Sequence, residues 1–310
     1  MTSAPRAPVI RNLAVTERHD VYDAIYPEPY FSHGTLSSFK DKVALVAGAS
    51  TGIGYTIASF YARAGAKVVI VARYQKTLNE ARERMLSEIK ESSTETPYSS
   101  VEILALAADV TDPEAIEQVV AKVVEKYGHL DVAIANAAIG GSWDQRFPEG
   151  DPADWWNVME VNLRGPYNVA HYTLPHLEAT SGAFVGVSSL ACQASLPFAS
   201  AYSVSKSALN RLIEYIAMEY PQVKSFAIHP GRIITQPPKP RTVAAPKWEP
   251  AAGDTLQLPA ATLLKLTDGS GRFDFLSGRF LSANWDLEEV EREWKKDIVE
   301  KDMLLTRIVL

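Results

Sequence analysis

The stretch that decides the fold is "VALVAGASTGIG", residues 43–54. An apolar run without a polar break leads into glycines at 48, 52 and 54, and a helical pattern continues from Ile53 to Ala64. Such a run reads as a strand buried on both faces, with the glycines making the turn into a helix. Glycines there let a backbone approach a pyrophosphate, and the helix N-terminus offers it unpaired N–H donors. Gly-x-x-x-Gly-x-Gly alone is a weak signal, because ordinary glycine turns share it. Its place between the first strand and a helix is what points to dinucleotide binding.

The same alternation continues downstream. Apolar runs recur at "VVIVA" (68–72), "VEILAL" (101–106), "LDVAIA" (130–135), "AFVGVS" (183–188), "VKSFAI" (223–228) and "GRFLSA" (278–283). Helical patterns lie between them, as in "TLNEARERMLSEIK" (77–90) and "DPEAIEQVVAKVVEKYG" (112–128). In the second, Asp112 is an N-cap, Pro113 takes the first helical position, and Gly128 ends the run. Apolar strands separated by helices predict a single α/β domain, doubly wound and Rossmann-like, with a seven-stranded parallel sheet covered on both faces. It is expected over residues 41–284. Residues 1–40 read as an N-terminal arm and 285–310 as a helical tail.

At 310 residues, with 46% hydrophobic and 22% charged side chains, the composition is that of an ordinary globular protein. A net charge of -6 gives no reason to expect nucleic acid or an anionic membrane as a partner. The lone cysteine, Cys192, can form no intrachain disulfide and no thiolate zinc cluster. The six histidines, His171 and His176 among them, do not fall at ligand spacing, so no metal is expected. The N-terminus lacks a signal-peptide core, and no apolar run is long enough to span a bilayer. A cytoplasmic location is the expectation.

In doubly wound folds ligands bind beyond the carboxyl ends of the strands, so the residues after each run matter most. After the second strand Ala72 stands where a carboxylate would bind an adenosine ribose, and Arg73 follows. A guanidinium without a carboxylate suits a 2′-phosphate, which favours NADP(H) over NAD(H). After the third strand, Asp109 can accept from an adenine amino group or simply cap its turn. "YSVSK" (202–206) closes 26 residues without a charge, Thr180–Ser205. Tyr202 and Lys206 lie four apart, on one helix face. An ammonium ~5 Å away at an effective dielectric of ~20 favours a phenolate by roughly 3 kcal/mol, or about two pKa units. That would make a tyrosine usable as an acid or base. Tyr/Lys pairs at this spacing are also common on plain amphipathic helices, so the pair needs the rest of the chain.

Together these motifs resemble the short-chain dehydrogenase/reductase family, from about Lys42 to Ala283, in family order and spacing. The resemblance implies a catalytic tetrad of Asn162, Ser189, Tyr202 and Lys206. Its cofactor loop corresponds to Gly48, Ser50, Thr51, Gly52, Ile53 and Gly54. Further cofactor contacts implied are Asp109, Val110 and Asn136, with Pro230, Gly231, Ile233 and Thr235 at the nicotinamide end. Tyr202 would exchange a proton with the substrate oxygen, Ser189 would hydrogen-bond that oxygen, and Lys206 would hold the nicotinamide ribose and lower the tyrosine pKa. Asn162 would anchor a water leading to solvent. Two departures occur: Ala47 replaces the usual threonine, and "ANAA" (135–138) replaces Asn-Asn-Ala-Gly. Both places are mainly structural in the family, so modest loop adjustments are expected.

The substrate side reads less directly. Trp143, Cys192, Gln193, Phe198 and Trp248 are candidate walls and favour a bulky, largely hydrophobic ketone or alcohol. "QPPKPRTVAAPKWEP" (236–250) holds too many prolines for a continuous helix, and 236–267 is expected to be a substrate loop or lid. In the tail, Leu287, Val290, Trp294 and Ile298 form an apolar stripe that fits a core-capping helix or an interface equally well. Arm, "LSGRF…ANWD" and tail are similar to fungal family members, many linked to secondary metabolism. The family also implies a homodimer or homotetramer joined through the Asn162 and Tyr202 helices. Two other readings remain: a non-redox enzyme (dehydratase, isomerase or cyclase) using the same tyrosine, and an NADP(H)-sensing regulator.

Overall fold

The computed structural model describes residues 12–31, 39–92, 101–143, 145–146, 148–194, 196–234 and 253–307. Seven strands form one parallel sheet in the order β3-β2-β1-β4-β5-β6-β7. They are β1 Val43–Ala47, β2 Lys67–Ala72, β3 Ile103–Ala107, β4 Val132–Ala135, β5 Ala183–Val187, β6 Lys224–His229 and β7 Arg279–Ser282. All six neighbouring pairs run parallel. The fold is the expected doubly wound one, with boundaries shifted by a residue or two.

The helices that cover the sheet follow their sequence signals. After a short helix α1 (Glu28–Phe31), α2 spans Gly52–Arg63, α3 Gln75–Ser92 and α4 Pro113–Tyr127. Asp112 caps α4 by accepting the Ala115 N–H at 3.1 Å, and Gly128 ends it in the left-handed conformation at φ 80°. Next come α5 (Pro152–Met159), α6 (Gly165–Thr180), α7 (Ser200–Glu219) and α8 (Gln257–Leu266). A π-helical segment, Glu160–Arg164, joins α5 to α6. Pro166 has no N–H, so the Asn162 carbonyl cannot receive the i+4 bond of an α-helix. The residue expected to act in catalysis thus sits where the helix is irregular.

Strand order reverses beside β1, whose neighbours are β2 and β4. Ala47 at its end is level with Val71 on one side and Ala135 on the other. The crevice outside these strand ends is where such folds bind ligands. The turn entering it is tight. A Cβ on Gly54 would lie 2.2 Å from the Gly48 carbonyl oxygen, so only glycine lets α2 start this close to the β1 exit.

Two expectations need correction. The region 236–267 is not wholly a loop: α8 lies within it, its Leu258, Leu263 and Leu264 are fully buried, and it packs on α2. Residues 236–252 of that region lie outside the described residues. The tail is not one helix either. It runs as α9 (Leu287–Glu289), a π-helical Val290–Trp294 and α10 (Lys295–Glu300). Leu287, Val290 and Ile298 are buried in the core, so the stripe caps this subunit's own core. The N-terminal segment is tied to the same end. Glu17 bridges to Trp285, Arg18 pairs with Asp286 at 2.7 Å, and Thr16 donates to Glu289.

Replacing Gly54 by alanine is expected to cost about 1–3 kcal/mol, because the clash is with backbone rather than a movable side chain. Urea unfolding measures it. A Gly54→Ala protein as stable as wild type would contradict the crowded turn.

Candidate active site

The β5 exit brings the first hydroxyl to the crevice. Ser189 follows β5 in extended backbone and caps the short turn Leu190–Cys192, its Oγ accepting the Ala191 N–H at 3.2 Å. Tyr202 and Lys206 project from the first turns of α7. The Ser189 hydroxyl lies near enough to the Tyr202 phenol to favour its ionised form. Lys206 Nζ lies 5.7 Å from the centre of the Tyr202 ring and donates to the Val187 carbonyl at 2.7 Å. Three groups from two elements therefore share one spot.

The charges there are set by burial. Burial pushes the Tyr202 phenol up, against the lowering effect of the nearby Ser189 hydroxyl. It also pushes the Lys206 ammonium down to about 8. The expected drop in the tyrosine pKa does not appear: burial outweighs the lowering effect of Ser189.

Asn162 is fully buried and locks three segments together. Its Oδ1 accepts the Ile139 N–H at 2.8 Å, while Nδ2 donates to the Ile139 carbonyl at 2.9 Å and to Ser205 Oγ at 3.1 Å. Ser205 in turn donates to the Tyr202 carbonyl at 2.7 Å. The side chain thus ties the β4 exit to the helix of the Tyr/Lys pair. Sequence reading missed Ser205, whose only signal is a small hydroxyl beside the lysine. It also missed the pair behind Lys206, where Ser188 Oγ donates to Asn210 Oδ1 at 2.6 Å.

The glycine loop lies on the opposite wall. Val71's carbonyl accepts the N–H groups of Gly48 (2.7 Å) and Ala49 (3.2 Å), and Asn136 Nδ2 donates to the Gly48 carbonyl at 2.9 Å. Gly48 takes φ 83°, and a Cβ there would come within 2.6 Å of the Ala137 nitrogen. The changed "ANAA" therefore still braces the loop. Thr51 begins α2 without a side-chain cap, and no acid occupies the first turn, so Ile53 and its neighbours leave N–H donors for an anion. These residues fit the pyrophosphate of a dinucleotide. Ser50 is partly buried beside them.

Around the adenosine side, Arg73 is exposed at the end of β2, its guanidinium 5.5 Å from the Tyr74 ring centre. Asp109 Oδ1 accepts the N–H and the hydroxyl of Thr111, so it caps its turn with one oxygen and keeps the other. Val110 is buried against Gly165. Across the crevice, Pro230 and Gly231 leave β6 with Gly231 at φ 105°, and Ile233 is partly buried. Thr235 lies outside the described residues. His229, missed in the sequence, is buried beside this loop, and burial pushes it down to about 4, so it is neutral at physiological pH.

Of the candidate walls, Trp143 stands against the site, its ring 5.7 Å from that of Tyr202 and tilted by 48°. Its Nε1 donates to the Gly140 carbonyl at 2.7 Å. Phe198, held at φ 67°, helps line a groove of about 240 Å³ with Gly141, Ser142, Trp155 and Trp156. Gln193 is exposed. The Cys192 thiol lies near Ser188 and Asn210, on the inner side, and burial pushes its pKa to about 11. It is a packed thiol rather than an open wall. Trp248 lies outside the described residues. Among the described residues, no three His, Cys, Asp or Glu side chains are grouped to hold a metal ion, and no helix is long and apolar enough to cross a membrane.

Comparison with known proteins agrees with this geometry. A family model described as short chain dehydrogenase matches residues 42–243. The short chain dehydrogenase andI of Emericella variicolor is 31% identical over 299 residues, 95% of either chain. The short chain dehydrogenase citE of Monascus ruber is 32% identical over 298 residues, 94% of either chain. Among solved structures, a 3-ketoacyl-ACP reductase from Sinorhizobium meliloti 1021 aligns with TM-score 0.66 and 27% identity, over 78% of this chain and 98% of its own. An alcohol dehydrogenase from the archaeon Thermococcus sibiricus, complexed with 5-hydroxy-NADP, aligns with TM-score 0.62 and 26% identity, over 78% and 95%. Parallel sheet, glycine turn and Ser–Tyr–Lys cluster thus coincide with the sequence match, and the chain belongs to the short chain dehydrogenase family of oxidoreductases.

Proposed function

We propose that the protein is an NADP(H)-dependent oxidoreductase that interconverts a ketone or aldehyde and an alcohol on a bulky, largely hydrophobic substrate. The observation that carries this reading is the convergence of Ser189, the Tyr202 phenol and Lys206, whose Nζ lies 5.7 Å from the tyrosine ring centre. NADPH, when bound, supplies the hydride. In the reductive direction Tyr202 gives its proton to the carbonyl oxygen as charge develops there, and Ser189 donates a hydrogen bond to that oxygen. Lys206, while charged, stabilises the phenolate that Tyr202 becomes. Asn162 fixes the β4 exit against α7, so the tyrosine and the Ile139 loop keep one spacing.

Arg73, with Ala72 in place of a carboxylate, supports the 2′-phosphate of NADP(H). Gly48–Gly54, Asp109, Val110 and Asn136 hold the rest of the nucleotide, and Pro230–Thr235 the nicotinamide end. Relatives support the cofactor choice: an L-sorbose reductase from Gluconobacter frateurii, 29% identical with TM-score 0.57, is complexed with NADPH and L-sorbose. Trp143 and the Phe198 groove supply flat apolar walls for the substrate. Full-length similarity to fungal short chain dehydrogenases supports a role in secondary metabolism. Exposed apolar residues on the outer helices, Trp156, Tyr167 and Met218, support a homodimer or homotetramer. A cytoplasmic location accords with this chemistry.

Tyr202→Phe is expected to abolish turnover, followed at 340 nm with a panel of ketones, while NADPH still binds. A variant keeping more than about a tenth of wild-type kcat would refute the acid/base role, and wild-type turnover without NADPH oxidation would favour a non-redox lyase or isomerase. Reduction should also depend on pH through Lys206. Its ammonium is present below about 8 and lost above it, so kcat/KM should be level at lower pH and fall as pH rises through about 8. In Lys206→Arg, which stays charged, that bend should vanish; a bend left in place would assign it elsewhere. Finally, Arg73→Ala should lower the NADPH over NADH preference about tenfold or more, by loss of a charged hydrogen bond, as read from the two kcat/KM values.

A further inference from the structure

The exit from β6 is organised by a carboxylate from later in the chain. Asp254 has no exposed side-chain surface. One of its oxygens accepts the Arg232 N–H at 2.5 Å, and the Asp254 N–H donates back to the Arg232 carbonyl at 3.2 Å. Its other oxygen meets His19 Nδ1 at 2.6 Å. The Asn284 side chain, just beyond β7, lies close enough to favour its charged form as well. Burial pushes the carboxyl up, but Asn284, Arg232 and His19 outweigh it and hold the group below the usual carboxylate range.

A buried carboxylate is costly unless fully bonded, so packing alone does not explain one here. What it does is hold backbone. The two reciprocal bonds to Arg232 fix the peptide after Gly231, and a Cβ on Gly231 would lie 2.8 Å from the Asp254 carboxylate. The next residue draws the arm in as well: the Thr255 N–H donates to the His19 carbonyl at 3.0 Å and the Thr255 hydroxyl to Asp20 at 2.6 Å.

We propose that Asp254 is a positioning residue for the cofactor. It sets the conformation of Pro230–Ile233, and through His19 it makes the N-terminal segment part of that support. This rests on reading Pro230–Ile233 as the nicotinamide end of the site. The carboxylate itself touches no reacting atom.

The test compares full-length wild type with Asp254→Asn, Asp254→Ala, His19→Ala and Arg18→Ala. NADPH affinity is read by fluorescence titration, with KM for NADPH, kcat and Tm alongside. Asp254→Ala should weaken NADPH binding about tenfold or more, since it leaves the Arg232 N–H without its charged acceptor. Asp254→Asn keeps an acceptor and should fall between it and wild type. His19→Ala, at a half-exposed position, should fold normally and raise KM for NADPH about threefold, with kcat changing less. Arg18→Ala is the control: it breaks the Asp286 pair on the same arm and should lower Tm while leaving NADPH affinity unchanged. NADPH affinity within twofold of wild type in both Asp254→Asn and His19→Ala would overturn the proposal, even if Asp254→Ala failed to fold. So would Arg18→Ala weakening NADPH as much as His19→Ala. Wild type that binds NADPH while these variants bind equally well sinks the positioning role alone. Wild type that does not bind NADPH removes the reading of the loop, and the proposal with it.

Discussion

The bond from the Lys206 ammonium to the Val187 carbonyl at 2.7 Å is the contact on which the site depends. It joins α7 to the end of β5 and so sets where Tyr202 meets Ser189. It is also an electrostatically costly choice, because among the described residues no carboxylate partners the ammonium. A hydrogen bond to a charged group returns about 1.5–3 kcal/mol. Burial displaces the lysine from 10.5 to about 8, which is about 3 kcal/mol against the charged form. The value near 8 is what remains after both, so burial outweighs the bond. The lysine is therefore poised to change charge near physiological pH, which a fully paired lysine would not do.

The rest of the wall is built to keep that contact in place. Asn162 spends both side-chain donors and one acceptor site on Ile139 and Ser205, and the missing N–H of Pro166 releases the helix from regular geometry at that turn. Ser188 and Asn210 form a polar floor near the Cys192 thiol. Apolar substitution there would leave buried polar atoms unpaired, a larger penalty than the loss of one bond. On the opposite wall the same logic is carried by backbone, with Gly48 and Gly54 at distances where no Cβ fits. One side of the crevice is thus held by side-chain hydrogen bonds, and the other by close backbone packing braced by the Asn136 side chain.

The chain ends add a second layer to this family fold. The N-terminal segment and the residues after β7 bind one another through Glu17–Trp285, Arg18–Asp286 and Thr16–Glu289. Tyr22 takes part as well, accepting the Leu287 N–H and donating to the Trp285 carbonyl. Burial raises its phenol, so it stays neutral and able to donate across the working pH range. These contacts lie at the β6 and β7 exits, the same end of the sheet as the catalytic pair. The extra segments therefore pack at the strand-exit end of the sheet rather than at its far end.

Local chemistry made much of this readable in advance. Strand identity follows from unbroken apolar runs, α4 from its Asp112 cap and Gly128 stop, and the cofactor turn from glycines after the first strand, because each depends on residues adjacent in sequence. Tyr202 and Lys206 were legible as a pair because helical spacing alone puts them on one face. Other features depend on residues that only folding brings together: Asp254 against Arg232 and His19, Cys192 turned inward to Asn210, and α8 buried where prolines nearby suggested a loop. Charge states belong to that second group. A Coulomb estimate from spacing predicts a lowered tyrosine pKa, but the sign reverses once the fold removes water from both partners, since desolvation is a property of the whole packed site and not of any four residues in a row.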